Sequence, residues 1–417
     1  MVDLAPFRGL RFDPATVPDL GRVTAPPYDA IDADEQRRLH ARSPFNVVRL
    51  ELDARSTDDI TPDDRYAQAA DVYRSWRRQG ALRLDAQAMY VYEQRFEHAG
   101  EPRRQIGVLA ALALTPWSDG TVLPHEHVFR DPVEDRKRLL QALPVNVSPI
   151  FLLTPRTPAR VAGMLDGVGQ RAADAAFAGP GGVTHRLWVV TDAHLHGLVS
   201  GAYADQALLV ADGHHRYTAA LERHAESPGP GTDRVLAFVV GADRGPAIDP
   251  THRLVRHLPP DALDRIRAEG LRVEWVEAEP GELATAVARS APGTFGLVTA
   301  GGSYVLRADA PALDALTGAA PAPVDRLDVT ALQALLVDRL AVPDRMQELR
   351  YTPDVEPAHR AVTSGAADGL FLVRPVSFDQ FRAASEAGVR MPPKTTTFVP
   401  KPRTGLVMRP LDPDGGP

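Results

Sequence analysis

The sequence predicts an α+β fold in which helices pack on a mixed sheet. Short apolar runs such as LWVVT, ALLVA and VLAFVVG have the length and composition of buried strands. Between many of these runs, apolar residues recur every three or four positions, which indicates amphipathic helices. A chain of 417 residues is long enough for two lobes. We expect an N-terminal lobe over 1–245 and a C-terminal lobe over 246–417 that ends in a disordered tail, LDPDGGP.

The predicted elements alternate irregularly along the chain. Residues 64–79 place apolar side chains on one helical face, and Gly80 ends that helix. MYVYEQRFEH and RQIGVLAALAL flank the turn AGEP and predict a hairpin. In HEHVFRDPVEDRKRLLQAL, Asp131 is the expected N-cap, Pro132 the first helical residue, and Glu134 completes a capping box. Further strands are predicted at SPIFLLT, LWVVT, ALLVA, VLAFVVG, LRVEWVE, FGLVTA, SYVLR and LFLVR. Further helices are predicted near 193–204, 216–226, 260–269, 328–341 and 377–387.

Two segments rich in glycine and proline, SPGPGTD and TGAAPAPV, predict surface loops. The second of them could also link the two lobes.

The composition excludes several classes of protein. A net charge of −7 and a pI near 6.0 do not favour non-specific binding to nucleic acid or acidic membranes. No run approaches the roughly eighteen apolar residues of a membrane span, and the N-terminus lacks the layout of a signal peptide. The chain has no cysteine, so any metal must be held by His, Asp or Glu. We therefore expect a cytoplasmic protein.

The stretch VADGHHRY concentrates polar chemistry between an apolar strand and a helix. Asp212, Gly213, His214 and His215 fall in the turn at the helix N-terminus, where free N–H groups and the helix dipole favour an anion. Gly213 lets a ligand approach the backbone, and Arg216 can fork onto phosphate or carboxylate oxygens. The histidines can donate hydrogen bonds or carry a proton, and Asp212 can be a cap, a metal ligand or a base. The alternative is a capped helix whose histidines satisfy nearby carbonyls. If the turn binds phosphate, we expect Arg216→Ala to remove that binding and leave the thermal stability nearly intact.

Two further motifs pair histidine with charged residues. In HEHVF, Glu126 could hold a divalent cation or act as a general base, with His125 beside it. Arg136 follows on the next helix, although many charges there could be a solvated face. DPTHRLV offers His252 and Arg253 as substrate contacts. For each motif taken alone, a structural role is the stronger interpretation.

Two proline-rich segments present polar side chains from stiff backbone. APPYDAID presents Tyr28 and Asp29, and either Asp29 or the second aspartate of the motif caps the following helix. RMPPKTTTFVPKP offers Lys394 and Lys401 with three threonines, among which Thr395 directly follows Lys394. Lysine and hydroxyl groups suit phosphate contact. Such a loop could equally serve to pack a C-terminal arm.

Taken together and in order, these motifs resemble the bacterial domain-of-unknown-function family 1015. The resemblance runs from about residue 5 to 410. Its motifs in this chain are APPYD, LPHE followed by DR, NVSPIF, ADGHHRY, THRLV and MPPKTTTFVPKPRTGLVMR. Two positions depart from the family: Val128 stands where a threonine is usual, and KTT replaces the usual KST. The first departure removes a hydroxyl, and the second keeps it.

That family is similar, more distantly, to serine kinases with the ParB/sulfiredoxin-like fold, some of which use pyrophosphate or ADP. The resemblance implies such a core with an added C-terminal lobe. It also implies a phosphate-binding Gly-x-x-Arg turn, here formed by Gly213, His214, His215 and Arg216. The implied activity is phosphoryl transfer from ATP, ADP or pyrophosphate to a small hydroxylated metabolite such as L-serine. No Walker loop, G-x-G-x-x-G after a strand or kinase signature occurs, so phosphate would not be bound by the P-loop route.

The resulting hypothesis gives each candidate residue a role. Donor phosphates contact residues 213–216, with Lys394 and Thr395 adding a cation and a hydroxyl. Glu126, His125, Asp212 and His215 are the candidate catalytic groups. Mg²⁺ is expected on carboxylates, of which Asp212 and Glu126 are the candidate ligands. The substrate contacts are expected from Tyr28, Asp29, Arg136, His252 and Arg253.

Two other functions remain open from the sequence. One is a nucleotide- or phosphate-binding regulatory protein without catalysis. The other is a metal-dependent hydrolase that uses His125, Glu126, His214 and His215. The oligomeric state, the donor and the acceptor do not follow from the sequence.

Overall fold

Residue contacts divide the chain into two units that do not follow its linear order. The structure, a computed structural model, describes residues 1–52, 62–229, 231–318, 320–343, 345 and 348–412. The first unit comprises Met1–Leu123, Val128–Pro246 and Pro400–Pro417, and the second comprises Pro124–His127 and Ala247–Val399. The division after Pro246 lies one residue from the expected boundary.

The C-terminal segment differs from the expectation, because residues from Pro400 onward belong to the first unit. The side-chain amides of Gln105 and Gln94 donate to the backbone carbonyls of Pro400 and Lys401 at 3.1 and 3.0 Å. Farther along, Leu10 and Met408 form a backbone bridge. Disorder is expected for the tail LDPDGGP, but its first residue, Leu411, is buried and its N–H donates to the Pro144 carbonyl at 2.9 Å. Residues 413–417 lie outside the described residues. TGAAPAPV lies inside the second unit and does not link the two units.

The first unit is built on a mixed sheet, which has ten strands in the described part of the chain. The main path runs in the order Val122–Leu123, Leu208–Asp212, Ile150–Thr154, Arg234–Gly241, Glu101–Ala113, Leu82–His98, Thr184–Val190 and Ala175–Ala178. Leu4–Ala5 and Phe7–Phe12 pair with the long central hairpin. A separate small sheet joins Val145–Asn146 to Arg409–Pro410. The central hairpin turns at Ala99 and Gly100, both at positive φ, as a tight two-residue turn requires.

Helices cover this sheet, and two of them approach the turn that follows Leu208–Asp212. Arg130–Ala142 packs beside His214–Glu226, where Lys137 Nζ lies 2.6 Å from Glu226 and Arg130 lies 2.7 Å from Glu222. The apolar core beneath includes the fully buried Tyr217. The α-helices of this unit are Leu20–Val23, Ala33–Arg42, Val48–Glu51, Pro62–Arg78, Arg130–Ala142, Ala159–Gly169, Ala193–Tyr203 and His214–Glu226.

The second unit has an antiparallel sheet, six-stranded within the described ranges. Its strand order is Arg272–Val276, Gly302–Arg307, Thr294–Thr299, Gly369–Leu372, His252–Val255 and Leu349–Thr352. A second, two-stranded sheet pairs Ala247–Asp249 with Thr397–Val399. Its helices are Ala262–Ala268, Pro280–Ala288, Ala310–Thr317, Asp328–Ala334, the π-helical Leu335–Arg339, Val355–Thr363 and Phe378–Glu386.

The observed class is mixed α/β, with a large mixed sheet and additional smaller sheets, which agrees with the predicted class in outline. The predicted hairpin and the predicted strands are confirmed. The predicted helix start at Asp131 is wrong, since the helix begins at Arg130 and Phe129 occupies the cap position without a side-chain cap. The Phe129 N–H donates to His215 Nε2 at 3.1 Å, a tertiary contact at the start of this helix. No helix in the described ranges has both the length and the apolar composition to cross a membrane.

Candidate functional site

The turn between Leu208–Asp212 and His214–Glu226 is formed by a glycine in the left-handed region. Gly213 has φ 105° at the helix N-cap. A Cβ there would lie 3.1 Å from Ile150 Cδ1 and 3.2 Å from Arg216 Nη2, so a larger residue would be both strained and crowded. The predicted strand–turn–helix arrangement is confirmed, with the helix beginning two residues earlier than expected. The positive end of the helix dipole therefore lies at this turn.

Asp212 is held between two cations. Its Oδ1 lies 2.5 Å from Lys401 Nζ, and its Oδ2 accepts from Arg216 Nη2. Arg216 Nη1 donates to the Pro149 carbonyl at 2.6 Å. The side chains of Asp212 and Arg216 are 8% and 10% exposed, so this ion pair is nearly buried. Arg216 therefore supports the turn, and its contacts lead us to expect that its removal lowers the stability, in contrast to the expectation from the sequence.

Lys401 joins this cluster from a part of the chain far away in sequence. Its Nζ lies 3.8 Å from Asp29 as well as 2.5 Å from Asp212. Burial by itself lowers the pKa of the Lys401 ammonium, but Asp212 and Asp29 outweigh it and hold the pKa above its ordinary value. The ammonium stays charged at neutral pH, and a quarter of the side chain is exposed. We refer to Asp29, Asp212, Arg216 and Lys401 as the turn cluster.

Tyr28 and Arg136, also in the first unit, contact each other. The Arg136 guanidinium carbon lies 4.1 Å from the centre of the Tyr28 ring, a cation–π contact. Arg136 Nε donates to Asp135 at 2.7 Å. Burial raises the pKa of Tyr28 to about 12, although Arg136 opposes the shift. Asp29 follows Tyr28 directly, but Asp32 caps the next helix by accepting from the Glu35 N–H at 2.7 Å.

The two histidines of the turn occupy different environments. His214 is buried. His215 Nε2 accepts from the Phe129 N–H, and its ring stacks on Phe129 with centroids 6.1 Å apart. Because that contact involves Nε2 as an acceptor, His215 is neutral when it forms. Phe129 is itself 55% exposed.

In the second unit, His125 is enclosed by aromatic and threonine side chains. It is 1% exposed, its Nε2 lies 2.9 Å from Thr396 Oγ1, and its ring meets Phe381 edge-on at 4.8 Å. Glu126 Oε1 lies 3.7 Å from the same nitrogen. The His125 carbonyl also accepts from the Met391 N–H at 2.9 Å, so the HEHVF motif is tied to the proline-rich loop.

The loop over 391–397 uses its threonine hydroxyls within the second unit. Thr395 Oγ1 donates to the Pro392 carbonyl at 2.6 Å, and Thr397 Oγ1 lies 3.0 Å from Thr251 Oγ1. Lys394 is exposed and has φ 52°, an uncommon backbone conformation for a residue with a side chain. We refer to this segment as the 391–397 loop.

His252 and Arg253 are buried in the second unit's six-stranded sheet. His252 Nδ1 accepts from the Val373 N–H at 3.2 Å. Burial, assisted by Arg253, lowers the pKa of His252 to about 4, so the ring is neutral at pH 7. Arg253 is fully buried, donates to the Thr251 carbonyl and lies over the Tyr351 ring at 4.6 Å.

The motifs on which these sites depend identify the family. A family model for DUF1015, a family of unknown function, matches residues 4–330. The chain belongs to the DUF1015 family. Comparison with curated proteins found no match.

Several solved structures are distantly similar to this DUF1015 chain. A free serine kinase variant in complex with ADP is 14% identical, with a TM-score of 0.36 over 67% of this chain and 84% of that one. SbnI with a C-terminal truncation, from Staphylococcus aureus, is 14% identical, with a TM-score of 0.39 over 73% and 87%. A conserved hypothetical protein from Pyrococcus furiosus is 16% identical, with a TM-score of 0.34 over 67% and 87%.

The expected Mg²⁺ ligands do not form a metal site in this DUF1015 chain. Among the residues that the structure describes, no group of three or more His, Asp or Glu side chains could hold a metal ion. Both Asp212 oxygens already contact cations. A carboxylate engaged in this way is a poor ligand for Mg²⁺.

The structure therefore sorts the candidate residues by unit. Asp212, Gly213, His214, His215, Arg216, Tyr28, Asp29 and Arg136 belong to the first unit, and His125, Glu126, His252, Arg253, Lys394 and Thr395 belong to the second. Lys401 is the member of the turn cluster that the sequence reasoning did not select. The sequence feature that could have identified Lys401 is its position between Pro400 and Pro402, which marks a stiff segment. Lys394 also lies in a proline-rich segment, so this feature does not distinguish the two lysines.

Proposed function

We propose that this chain is a small-molecule phosphotransferase that binds its donor's phosphates at the turn cluster. The observation that carries the proposal is Lys401 beside Asp212 at the start of His214–Glu226. A charged, partly exposed ammonium and a helix N-terminus together favour phosphate oxygens. The proposal keeps a ParB/sulfiredoxin-like core as the fold of the first unit. ATP, ADP and pyrophosphate are the candidate donors, and a small hydroxylated metabolite such as L-serine is the candidate acceptor.

In this proposal, each residue of the turn cluster has a separate role in phosphoryl transfer. Lys401 neutralises charge on the transferring phosphoryl group, and the helix dipole stabilises the oxygens that face the turn. Arg216 positions Asp212 through their ion pair. Asp29, whose side chain is 29% exposed, accepts the proton of the acceptor hydroxyl. The acceptor oxygen then forms a bond to phosphorus as the bond from phosphorus to the donor's bridging oxygen breaks. No step in this scheme is assigned to Mg²⁺.

A comparison of two lysines tests the proposal. The full chain is offered ATP, ADP or pyrophosphate with serine and other small hydroxy metabolites in the presence of Mg²⁺. We expect Lys401→Met to lower turnover by about 10²–10³-fold, the range for loss of one transition-state donor. Lys394→Met is the matched control, since it removes the same charge from the second unit. It should change turnover less than about threefold, because the removal of an exposed charge has a small energetic effect.

Two results would count against the proposal. If no donor–acceptor pair turns over while calorimetry still detects pyrophosphate binding that depends on Lys401, the chain is a phosphate-binding regulatory protein. If Lys394→Met causes the larger loss, the 391–397 loop carries the site instead. Thermal unfolding of both variants separates these results from simple misfolding.

A further inference from the structure

A cavity of about 50 Å³ lies inside the first unit, next to Arg216. One water molecule needs roughly 10–15 Å³, so this space could hold a small solute. Its polar walls include Glu51, Arg136, Ser148 and Arg216, and its apolar walls include Ala219 and Val235. The proposed transfer reaction uses neither this space nor Glu51, Arg136 or Ser148.

Arg136 lines the cavity, and one nitrogen of its guanidinium group, Nη1, has no hydrogen-bond acceptor among the described residues. The residue is 6% exposed. Its Nε and Nη2 donate to Asp135, and Nη2 also contacts the Glu51 carbonyl at 3.3 Å. Its Nη1 is buried and has no hydrogen-bond partner among the described residues. A buried guanidinium N–H without an acceptor is costly, so the cavity is the place from which an acceptor can come.

The cavity wall carries the charged side chains of Arg136, Arg216 and Glu51. Arg136 is paired with Asp135 and Arg216 with Asp212, so the feature that favours an anion is the unsatisfied donor at Arg136 Nη1 and not an excess of positive charge. Glu51 Oε1 accepts from Ser148 Oγ at 3.0 Å, and Ser148 Oγ in turn lies 2.6 Å from Thr404 Oγ1. Burial raises the pKa of Glu51 above its ordinary value, against the opposing effect of both arginines. Protonation of Glu51 would remove a negative charge from the wall.

We propose that this cavity binds a small carboxylate, with the carboxylate oxygen accepting from Arg136 Nη1. A monoanion suits the wall better than a phosphate dianion, because a second negative charge beside Glu51 would have to be buried without a further cation. Ala219 and Val235 provide an apolar surface for a short carbon stem. The cavity shares Arg216 with the turn cluster, but the proposed carboxylate donor, Arg136, does not belong to that cluster, so acetate binding and phosphate binding can be lost separately.

The test uses a substitution that fills the cavity without changing its charge. Acetate, formate and inorganic phosphate are titrated separately into the full chain by calorimetry. Ala219→Val adds two methyl groups to the wall and should weaken acetate binding about tenfold or more, as loss of one charge-assisted contact would. Ala225→Val, an exposed position on the same helix, is the matched control and should leave acetate binding unchanged.

The remaining outcomes each decide the question. Arg136→Gln should also abolish acetate binding, which keeps the test open if Ala219→Val fails to fold. Lys401→Met should weaken phosphate binding and leave acetate binding intact. Failure of the wild-type chain to bind acetate, or equal acetate affinity in Ala219→Val, would overturn the proposal. Phosphate that competes with acetate for the cavity would show that the site does not select a carboxylate.

Discussion

The 212–216 turn of the first unit and the 391–397 loop of the second are both polar stretches beside apolar segments. They use their polar groups in different ways. In the turn, Asp212 contacts two cations, and one of these, Lys401, remains partly exposed and charged. In the loop, the hydroxyls of Thr395, Thr396 and Thr397 each contact a protein group of the same unit. The partly exposed charge of the turn therefore suits the proposed ligand, whereas the three loop hydroxyls all contact protein groups.

This difference teaches that residue type alone does not separate a binding site from a structural loop. Both stretches contain lysine or arginine with hydroxyl or carboxyl groups, which is why the sequence suggests phosphate contact for both. What separates them is the kind of group that each stretch contacts. In the turn cluster, carboxylates and cations from residues 29 to 401 meet, whereas the loop hydroxyls contact a backbone carbonyl, an imidazole and another hydroxyl, those of Pro392, His125 and Thr251.

The largest effect is expected from Arg216→Ala. This change leaves the buried Asp212 carboxylate with one cation fewer, and loss of one partner from a buried ion pair costs about 3–5 kcal/mol. We expect a decrease of this size in the free energy of unfolding, measured with urea on the full chain. The double variant Arg216→Ala with Asp212→Asn should lose less than the sum of the single variants. A loss below about 1 kcal/mol for Arg216→Ala would restore the view that this side chain is available to a ligand and dispensable for folding.

The local elements around the turn could be predicted from the sequence, because short-range patterns determine them. The strand at ALLVA, a glycine turn and a following helix are all visible in the sequence, although the strand runs one residue further, to Asp212, and the helix begins two residues earlier, at His214. The hairpin from Leu82–His98 to Glu101–Ala113 follows from its alternating pattern and the AG turn for the same reason.

The contacts that complete the turn cluster could not be predicted, because they join distant parts of the chain. Lys401 meets Asp212 across 189 positions. Its backbone is held there by Gln94, a buried side chain 307 positions away. The predicted start of Arg130–Ala142 is wrong by a short distance: Phe129 and not Asp131 is the N-cap, and the Phe129 N–H donates to His215, 86 positions away. Sequence patterns contain no record of such pairings when only one chain is available.

The pH dependence of stability should show whether His252 has a structural role in the second unit. The folded pKa of His252, about 4, lies below its ordinary 6.5, so the contribution of its neutral ring is present above pH 6.5 and is lost as pH falls through about 4. The shift corresponds to at most about 3 kcal/mol. His252→Asn keeps an acceptor for the Val373 N–H but cannot titrate, and its free energy of unfolding should fall less between pH 7 and 4. The same pH dependence in both proteins would contradict the structural role.

A smaller effect is expected from Thr396→Val in the 391–397 loop. The change removes the hydroxyl that meets His125 Nε2 at 2.9 Å and keeps the side-chain shape. One such hydrogen bond contributes about 1 kcal/mol, so the second unit should be destabilised by roughly that amount. Pyrophosphate affinity, measured by calorimetry, should stay the same. A loss of affinity without a loss of stability would move the phosphate site toward this loop.

The smallest effect, and the most direct comparison of the two regions, is expected from Lys394→Gly. Lys394 holds φ 52°, where a side chain is disfavoured and glycine is not, and relief of such strain is worth of order 1 kcal/mol before glycine's own entropy cost is subtracted. Strained backbone is often retained at functional sites, so this conformation is compatible with a structural role of the loop and with presentation of Lys394 to phosphate.

Lys394→Gly separates these two explanations because it removes both the strain and the ammonium. If the loop is structural, Lys394→Gly unfolds at the same or a slightly higher urea concentration and binds pyrophosphate as the wild type does. If the strain is kept in order to present Lys394 to phosphate, the stability rises while pyrophosphate affinity falls, and the distinction drawn between the turn and the loop is wrong.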